Sequence, residues 1–273
     1  MNNRMRAAVA DLRRALDPVL LAQAVGIDPH PYQAAVLRSP SRQLILNWAR
    51  QAGKSTATAV LPLHVAIYQP KSLSLILAPG DRQAGLLLDK VHAFLLALGW
   101  QPTPTEKDNT RLLRLANGSE VWALPGKDGT IRGFSGVDLL VIDEAARTDD
   151  ALYYAVRPML AASGGRIVLL STPFGDRGFF HAVWTSGGDA WERHEVPVGM
   201  VPHIDPAFVE QERRELPPQW FSQEYLCAFL PSVNQFFASD VIESLVSGDV
   251  APLFGGEGEA AWSRDLVTTV PRL

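Results

Sequence analysis

Cysteine is almost absent from this sequence: Cys227 is the single one in 273 residues. One thiol excludes an internal disulfide framework and a cysteine-based metal cluster, and Cys227 reads as a buried core thiol. No apolar run approaches the roughly 18–20 residues that a membrane-crossing helix needs, and the N-terminus lacks a signal-peptide pattern. A cytoplasmic protein with no membrane partner is the expectation. A surplus of positive charge is missing too. Lys and Arg number 25 against 29 Asp and Glu, for a formal net charge of −4. That argues against coating nucleic acid by bulk charge and leaves room for a local basic patch. The remainder, 47% hydrophobic and 20% charged, is the balance of a soluble globular α/β protein. The length suits one large domain or a domain with a short appendage.

Against that background one stretch stands out, Ala49-Arg50-Gln51-Ala52-Gly53-Lys54-Ser55-Thr56, after the apolar run Leu44-Ile45-Leu46-Asn47-Trp48 and before a helical pattern. It closes with the Gly-Lys-Ser of a phosphate-binding P-loop and has Ala49 where a first glycine is usual. A tight loop at a helix N-terminus aims several backbone N–H groups at a polyphosphate, and the helix dipole favours the anion. Gly53 admits close approach of the backbone, Lys54 reaches the β- and γ-phosphates of ATP, and the Ser55 hydroxyl is a Mg²⁺ ligand. Alanine tolerates such a turn less freely than glycine, so Ala49 weakens the match. The bland alternative is a chance Gly-Lys-Ser at a helix start.

A second landmark is Asp138-Leu139-Leu140-Val141-Ile142-Asp143-Glu144. An apolar run ending in two carboxylates describes a buried central strand whose C-terminal end emerges at the ligand edge of a parallel sheet. There Asp143 holds Mg²⁺ through water, and Glu144 orients and deprotonates the attacking water. A strand running into an acidic loop is common by itself. A P-loop upstream of an Asp-Glu strand end is much rarer, and the pair points to a hydrolysing ATPase. A third strand, Arg166-Ile167-Val168-Leu169-Leu170, ends in Ser171-Thr172-Pro173. Hydroxyls there can sense the γ-phosphate, or they simply terminate a strand. Gln33, in Pro31-Tyr32-Gln33, has an amide able to donate and accept, and so to read an adenine edge; the alternative is a solvated first-turn residue.

The remaining pattern alternates helices with strands. Arg4, Arg6, Arg13 and Arg14 mix with Leu12, Leu16, Leu20 and Leu21 in one amphipathic helix ending near Gly26, either a cap on its own domain or a docking surface. After the P-loop a helix runs over 56–67 with a kink at Pro62. Residues 73–78 read as a buried strand, and Asp81 as the cap of a helix that reaches Leu98 and stops at Gly99. Residues 111–115 and 120–124 form a hairpin about Asn117-Gly118. Residues 126–130 are a candidate mobile loop, and 174–180 a glycine-hinged loop into an aromatic helix. Strands separated by helices at these lengths predict an α/β fold with a mainly parallel sheet flanked by helices.

Taken together, Pro31-Tyr32-Gln33, Arg50-Gln51-Ala52-Gly53-Lys54-Ser55, Ile131-Arg132-Gly133, Leu140-Val141-Ile142-Asp143-Glu144-Ala145 and Ser171-Thr172-Pro173-Phe174-Gly175 resemble the ATPase domain of the large terminase subunit of tailed bacteriophages. Trp184, after Gly178 and Phe179, fits the same family. The resemblance covers residues 29–237. It implies a P-loop NTPase core of the additional-strand, catalytic-glutamate type, followed by a small lid subdomain. It also implies a homo-oligomeric ring that hydrolyses ATP to drive double-stranded DNA into a procapsid, with a portal protein and a small terminase subunit as partners. Carried over by residue, Lys54 and Ser55 contact phosphate and Mg²⁺, Asp143 is the metal-side carboxylate, Glu144 the catalytic glutamate, and Ser171 and Thr172 the coupling motif. Arg50, in the nucleotide loop with Gln51, Ala52 and Thr56, resembles a residue type that contacts the γ-phosphate. Arg132 is the candidate arginine finger for a neighbour's ATP and Arg147 the second choice; either also reads as an ordinary surface arginine.

The domain reading is an N-terminal helical segment 1–28, an ATPase core 29–196, a lid subdomain 197–237 and a linker-like C-terminal segment 238–273. The family's ribonuclease-H-like nuclease needs a core on the order of 100 residues or more, so no nuclease is expected after Phe236-Phe237, where Asp265 is a lone acid. A motor half whose nuclease lies elsewhere, a shortened chain and a prophage remnant all fit. Trp220, Phe221, Tyr225 and Phe229 read as lid packing, with stacking on single-stranded bases as the sharper alternative. A helicase-like ATPase requires a second RecA-like core, for which the chain is short. A non-hydrolysing remnant would have lost Lys54, Asp143 or Glu144, and all three are present. Lys127 and Arg177 are candidates for a phosphate-directed grip on duplex DNA.

Overall fold

The computed structural model describes residues 3–104, 110–126, 131 and 133–231. Lys127, Arg132 and the segment from 232 onward, including Phe236, Phe237 and Asp265, lie outside the described residues. The elements all fall in one compact unit, Met1–Leu230; Pro231–Leu273 is a separate unit.

The sheet contains β1 (Gln43–Trp48), β2 (Leu73–Ala78), β3 (Leu112–Arg114), β4 (Glu120–Pro125), β5 (Leu139–Asp143), β6 (Arg166–Ser171) and β7 (Glu192–Val196). These form a 7-stranded sheet in the order β3-β4-β2-β5-β6-β1-β7. β3 is antiparallel to β4; every other neighbouring pair is parallel. The apolar runs account for this arrangement. Leu44, Ile45, Leu46, Asn47 and Trp48 are all buried, because helices cover both faces of a parallel sheet.

Successive side chains still alternate between faces. Leu44, Leu46 and Trp48 join Leu21, Val36, Leu63 and Val91 on one side, the side of α2 (Pro18–Ala24), α3 (Pro31–Arg38), α4 (Lys54–Tyr68) and α5 (Asp81–Ala97). Ile45 joins Tyr153, Phe179, Phe180 and Trp191 on the other, under α6 (Asp150–Val156) and α7 (Gly178–Ser186). After β7 the chain adds α8 (Pro206–Glu215) and α9 (Pro218–Leu226).

β6 lies between the P-loop strand β1 and the Asp143 strand β5, which is the additional-strand arrangement. Its register sets Ser171 beside Asn47 of β1 and Leu170 beside Asp143 of β5. Three strand ends thus meet at one edge. The predicted hairpin is β3–β4, with Gly118 at φ +85 in its turn, a conformation glycine adopts without a Cβ clash.

Two local expectations need correction. The single N-terminal helix is two, α1 (Asn3–Leu16) and α2. Asp17 caps α2 by accepting from the Val19 N–H at 3.0 Å, and Pro18 stands at its first turn, where a proline starts a helix rather than continuing one. α1 rests on α4 through His64, whose Nε2 lies 3.1 Å from the Arg14 and Ala15 carbonyls, while Val9, Leu12 and Leu16 face outward. Asp81 does not cap α5: the N-cap is Gly80, without a side-chain bond, and Asp81 pairs with Arg111 at 2.9 Å.

Candidate functional site

The P-loop leaves β1 at Trp48 and closes on α4. The Ala49 N–H donates to Val196 O at 2.8 Å, and Ala49 packs with Val198 and Cys227. Its φ is not positive, so a methyl in place of the usual first glycine is unstrained and fills apolar space. Gln51 and Gly53 carry the left-handed conformations, at φ 60 and φ 76. A Cβ on Gly53 would be strained at this φ and would sit 2.5 Å from Gln33 Nε2, which would have to shift. The loop is braced from behind. Ala52 O accepts from Tyr32 Oη at 3.2 Å and from Gln33 Nε2 at 3.3 Å, while Gln51 O lies 2.9 Å from His203 Nε2.

Gln33 is buried, which overturns the solvated first-turn alternative. Its Oε1 also accepts from the His30 N–H at 2.9 Å. These two bonds use one N–H and one oxygen lone pair of the amide and leave one of each.

In front of the loop opens a cleft of about 400 Å³ lined by Arg50, Gln51, Gly53, Lys54, Ser55, Thr56, Gln83, Lys90, Glu144, Arg147 and Thr172. Lys54 Nζ donates to Trp48 O at 2.9 Å, Ala49 O at 3.0 Å and Thr172 Oγ1 at 3.1 Å, so all three of its donors are engaged. Burial pulls its ammonium below the ordinary value, against the opposite pull of Glu144 and Asp143. Ser55 Oγ donates to Asp143 Oδ2 at 3.3 Å. Burial first, and then the Glu144 charge, push the Asp143 carboxyl up to about 6. These are two hard oxygen donors side by side next to a buried ammonium, a set suited to Mg²⁺ and phosphate.

Glu144 follows β5 in the left-handed conformation at φ 50, where its Oε2 accepts from Arg147 Nη1 at 3.1 Å. At the end of β6 the two hydroxyls part ways. Thr172 Oγ1 donates to Trp48 O at 3.3 Å and lines the cleft, whereas Ser171 Oγ, fully buried, turns onto Thr172 O at 2.7 Å. Arg50 ion-pairs with Glu224 of α9, and its N–H donates to Glu224 O at 3.1 Å. Arg177 is exposed, N-caps α7 and does not line the cleft.

Three participants carry no motif of their own. Gln83 and Lys90 lie a heptad apart on one face of α5, and Lys90 Nζ donates to Thr56 Oγ1 at 3.1 Å. That spacing is a usable signal. Glu224, an acid among the aromatics of α9, carries a fainter one.

Residues 45–243 match the family model described as terminase large subunit, T4likevirus-type, N-terminal. The large terminase subunit of Thermus virus P23-45 is 25% identical over 252 aligned residues, which cover 79% of this chain and 52% of that protein. This chain therefore spans about half the length of the curated relatives it matches. The large terminase ATPase domain of Thermus phage P74-26 superposes with a TM-score of 0.65 at 22% identity, over 77% of this chain and 97% of that one. The large terminase of another thermophilic bacteriophage, in complex with ADP, gives 0.60 at 12% identity, over 73% and 53%. At those identities the structures speak for a shared fold. With the family match extending over most of its length, this chain belongs to the terminase large subunit family of the T4likevirus type, in its N-terminal part.

Proposed function

We propose that this chain binds Mg²⁺–ATP in the cleft and hydrolyses it as the ATPase part of a DNA-packaging motor. The observation that carries this reading is the contact of Ser55, which lines the cleft with Lys54 and Glu144, with the buried Asp143 at the end of β5. The P-loop N–H groups and the α4 N-terminus receive the polyphosphate. Lys54 turns from its carbonyl partners toward the β- and γ-phosphates and so releases Thr172 Oγ1, which thereby reports whether phosphate is present. Ser55 and Asp143 would hold Mg²⁺, which would supply positive charge against the charge developing on the phosphate oxygens. Glu144 orients the attacking water and takes its proton once Arg147 lets go of the carboxylate. Arg50 serves the γ-phosphate from within the chain, and Arg132 serves a neighbour's ATP as a finger. Gln33 and Ser171 act through the loops that they brace.

As a motor, the chain would assemble into a homo-oligomeric ring that moves double-stranded DNA into a procapsid beside a portal protein and a small terminase subunit. Its hold on duplex would be directed at phosphates and sensitive to salt. The experiment is ATP turnover per subunit against protein concentration, with and without duplex DNA. Specific activity should rise with concentration, and Arg132→Ala should then lower it by on the order of 10³-fold. Flat, DNA-independent turnover would count against the ring and the finger.

A further inference from the structure

Among the described residues two carboxylates are buried, Asp143 and Glu224. Asp143 belongs to the nucleotide site. Glu224 is on α9, and a carboxylate is left so enclosed only where cations meet it. Two do. One oxygen accepts from Arg50 Nε of the P-loop; the other lies 3.5 Å from Arg147 Nη2. Arg147 is itself shared, since its Nη1 donates to Glu144 Oε2 at 3.1 Å. The four charges form a chain, Arg50–Glu224–Arg147–Glu144, with one end at the phosphate loop and the other at the residue proposed to activate water.

We propose that Glu224 is a positioning residue that trades Arg50 for Arg147, so that when polyphosphate draws Arg50 away, Arg147 moves onto Glu224 and frees Glu144. The proposal rests on the reading of the cleft as an ATPase site. The direction of the trade follows from burial. The Glu224 side chain is 7% exposed and that of Glu144 28%. Losing a cation therefore costs Glu224 more than it costs the partly solvated Glu144. Arg50 is free to leave because its side chain is 61% exposed. Arg147 is confined to a small swing because its guanidinium lies 4.6 Å from the Phe174 ring centroid, between the two carboxylates. When the Arg50 side chain departs, its N–H bond to Glu224 O at 3.1 Å still ties the P-loop to α9. A second tether joins α9 to the segment after β6, where Gln223 Oε1 accepts from the Gly175 N–H at 3.4 Å.

The test compares the full-length chain with Glu224→Gln, which keeps the shape and removes the charge. Wild-type binding of ATPγS and wild-type ATP turnover are measured first, and the absence of either overturns the ATPase reading, and this proposal with it. Given both, Glu224→Gln should bind ATPγS at least as tightly as wild type, because Arg50 no longer has a competitor for the phosphate. Its kcat should fall on the order of 10²-fold, because Arg147 stays on Glu144. Adding Arg147→Met should restore much of that loss, and Glu224→Asp should sit between. In spectra of ¹⁵N-arginine-labelled protein, ATPγS should shift the Nε–H signals of both Arg50 and Arg147 in wild type, but only that of Arg50 in Glu224→Gln. Weaker ATPγS binding with additive losses in the double variant would mean a structural role only and overturn the trade. An Arg147 signal indifferent to ATPγS in wild type would do the same.

Discussion

Ser55 Oγ donates to Asp143 Oδ2 at 3.3 Å across 88 residues of sequence. The contact joins the first turn of α4 to the tip of β5, although β6 separates their strands in the sheet. Because β6 ends in the same register, its Thr172 fills the gap between them and meets Lys54. One parallel edge thus gathers the phosphate, metal and water groups from three distant stretches of the chain.

Glu144→Gln should keep nucleotide binding and lose turnover by roughly 10²–10⁴-fold, since Ser55, Asp143 and Lys54 remain while the proton acceptor is gone. Parallel ATPγS titration and steady-state hydrolysis would check this. Turnover at the wild-type rate would remove Glu144 from the base role.

Asp143 sets a pH dependence. Folding raises its pKa from 3.8 to about 6, so the folded chain holds this proton more tightly than the unfolded one. The stabilisation is complete below pH 3.8 and lost as pH rises through about 6. Asp143→Asn cannot carry the buried charge, so without nucleotide it should melt above wild type at about pH 7.5, with the difference shrinking toward about pH 4. Mg²⁺–ATP should raise the melting temperature of wild type alone. A variant that melts lower than wild type at the higher pH would contradict this account.

Gly53→Ala forces a side chain into φ +76, 2.5 Å from Gln33 Nε2. A loss of about 1–3 kcal/mol in stability is expected from the backbone alone, together with weaker ATPγS binding as the loop shifts. Denaturant melts and nucleotide titration of the variant would show both losses. Unchanged affinity would mean that the loop reorganises on binding.

Cys227 should be inert in the native protein. Burial pushes its thiol up to about 12, and Sγ donates to Val196 O at 3.4 Å. Iodoacetamide at about pH 8 should label it slowly until denaturant is added, because the thiolate is the reactive form. Rapid labelling of native protein would show that the α9 terminus opens readily from β1, where Asn47 Nδ2 now donates to Cys227 O at 2.9 Å.

Much of this protein follows from local chemistry that a sequence displays. Gly53-Lys54-Ser55 at a helix start and Asp143-Glu144 at the end of an apolar run are short patterns whose function depends on backbone close at hand. The doubly buried strands announce themselves as unbroken apolar runs. Asp17-Pro18 is legible in principle, as a cap and a first-turn proline, but helical periodicity on both sides conceals the break. What only the tertiary structure decided are the partners of long side chains. Arg50 meets Glu224, Gln33 braces Ala52, and Ser171 turns inward while Thr172 faces Lys54. Such choices depend on which elements the folded sheet brings within a few ångströms and on how deeply each charge is buried, and neither quantity belongs to any one stretch of chain.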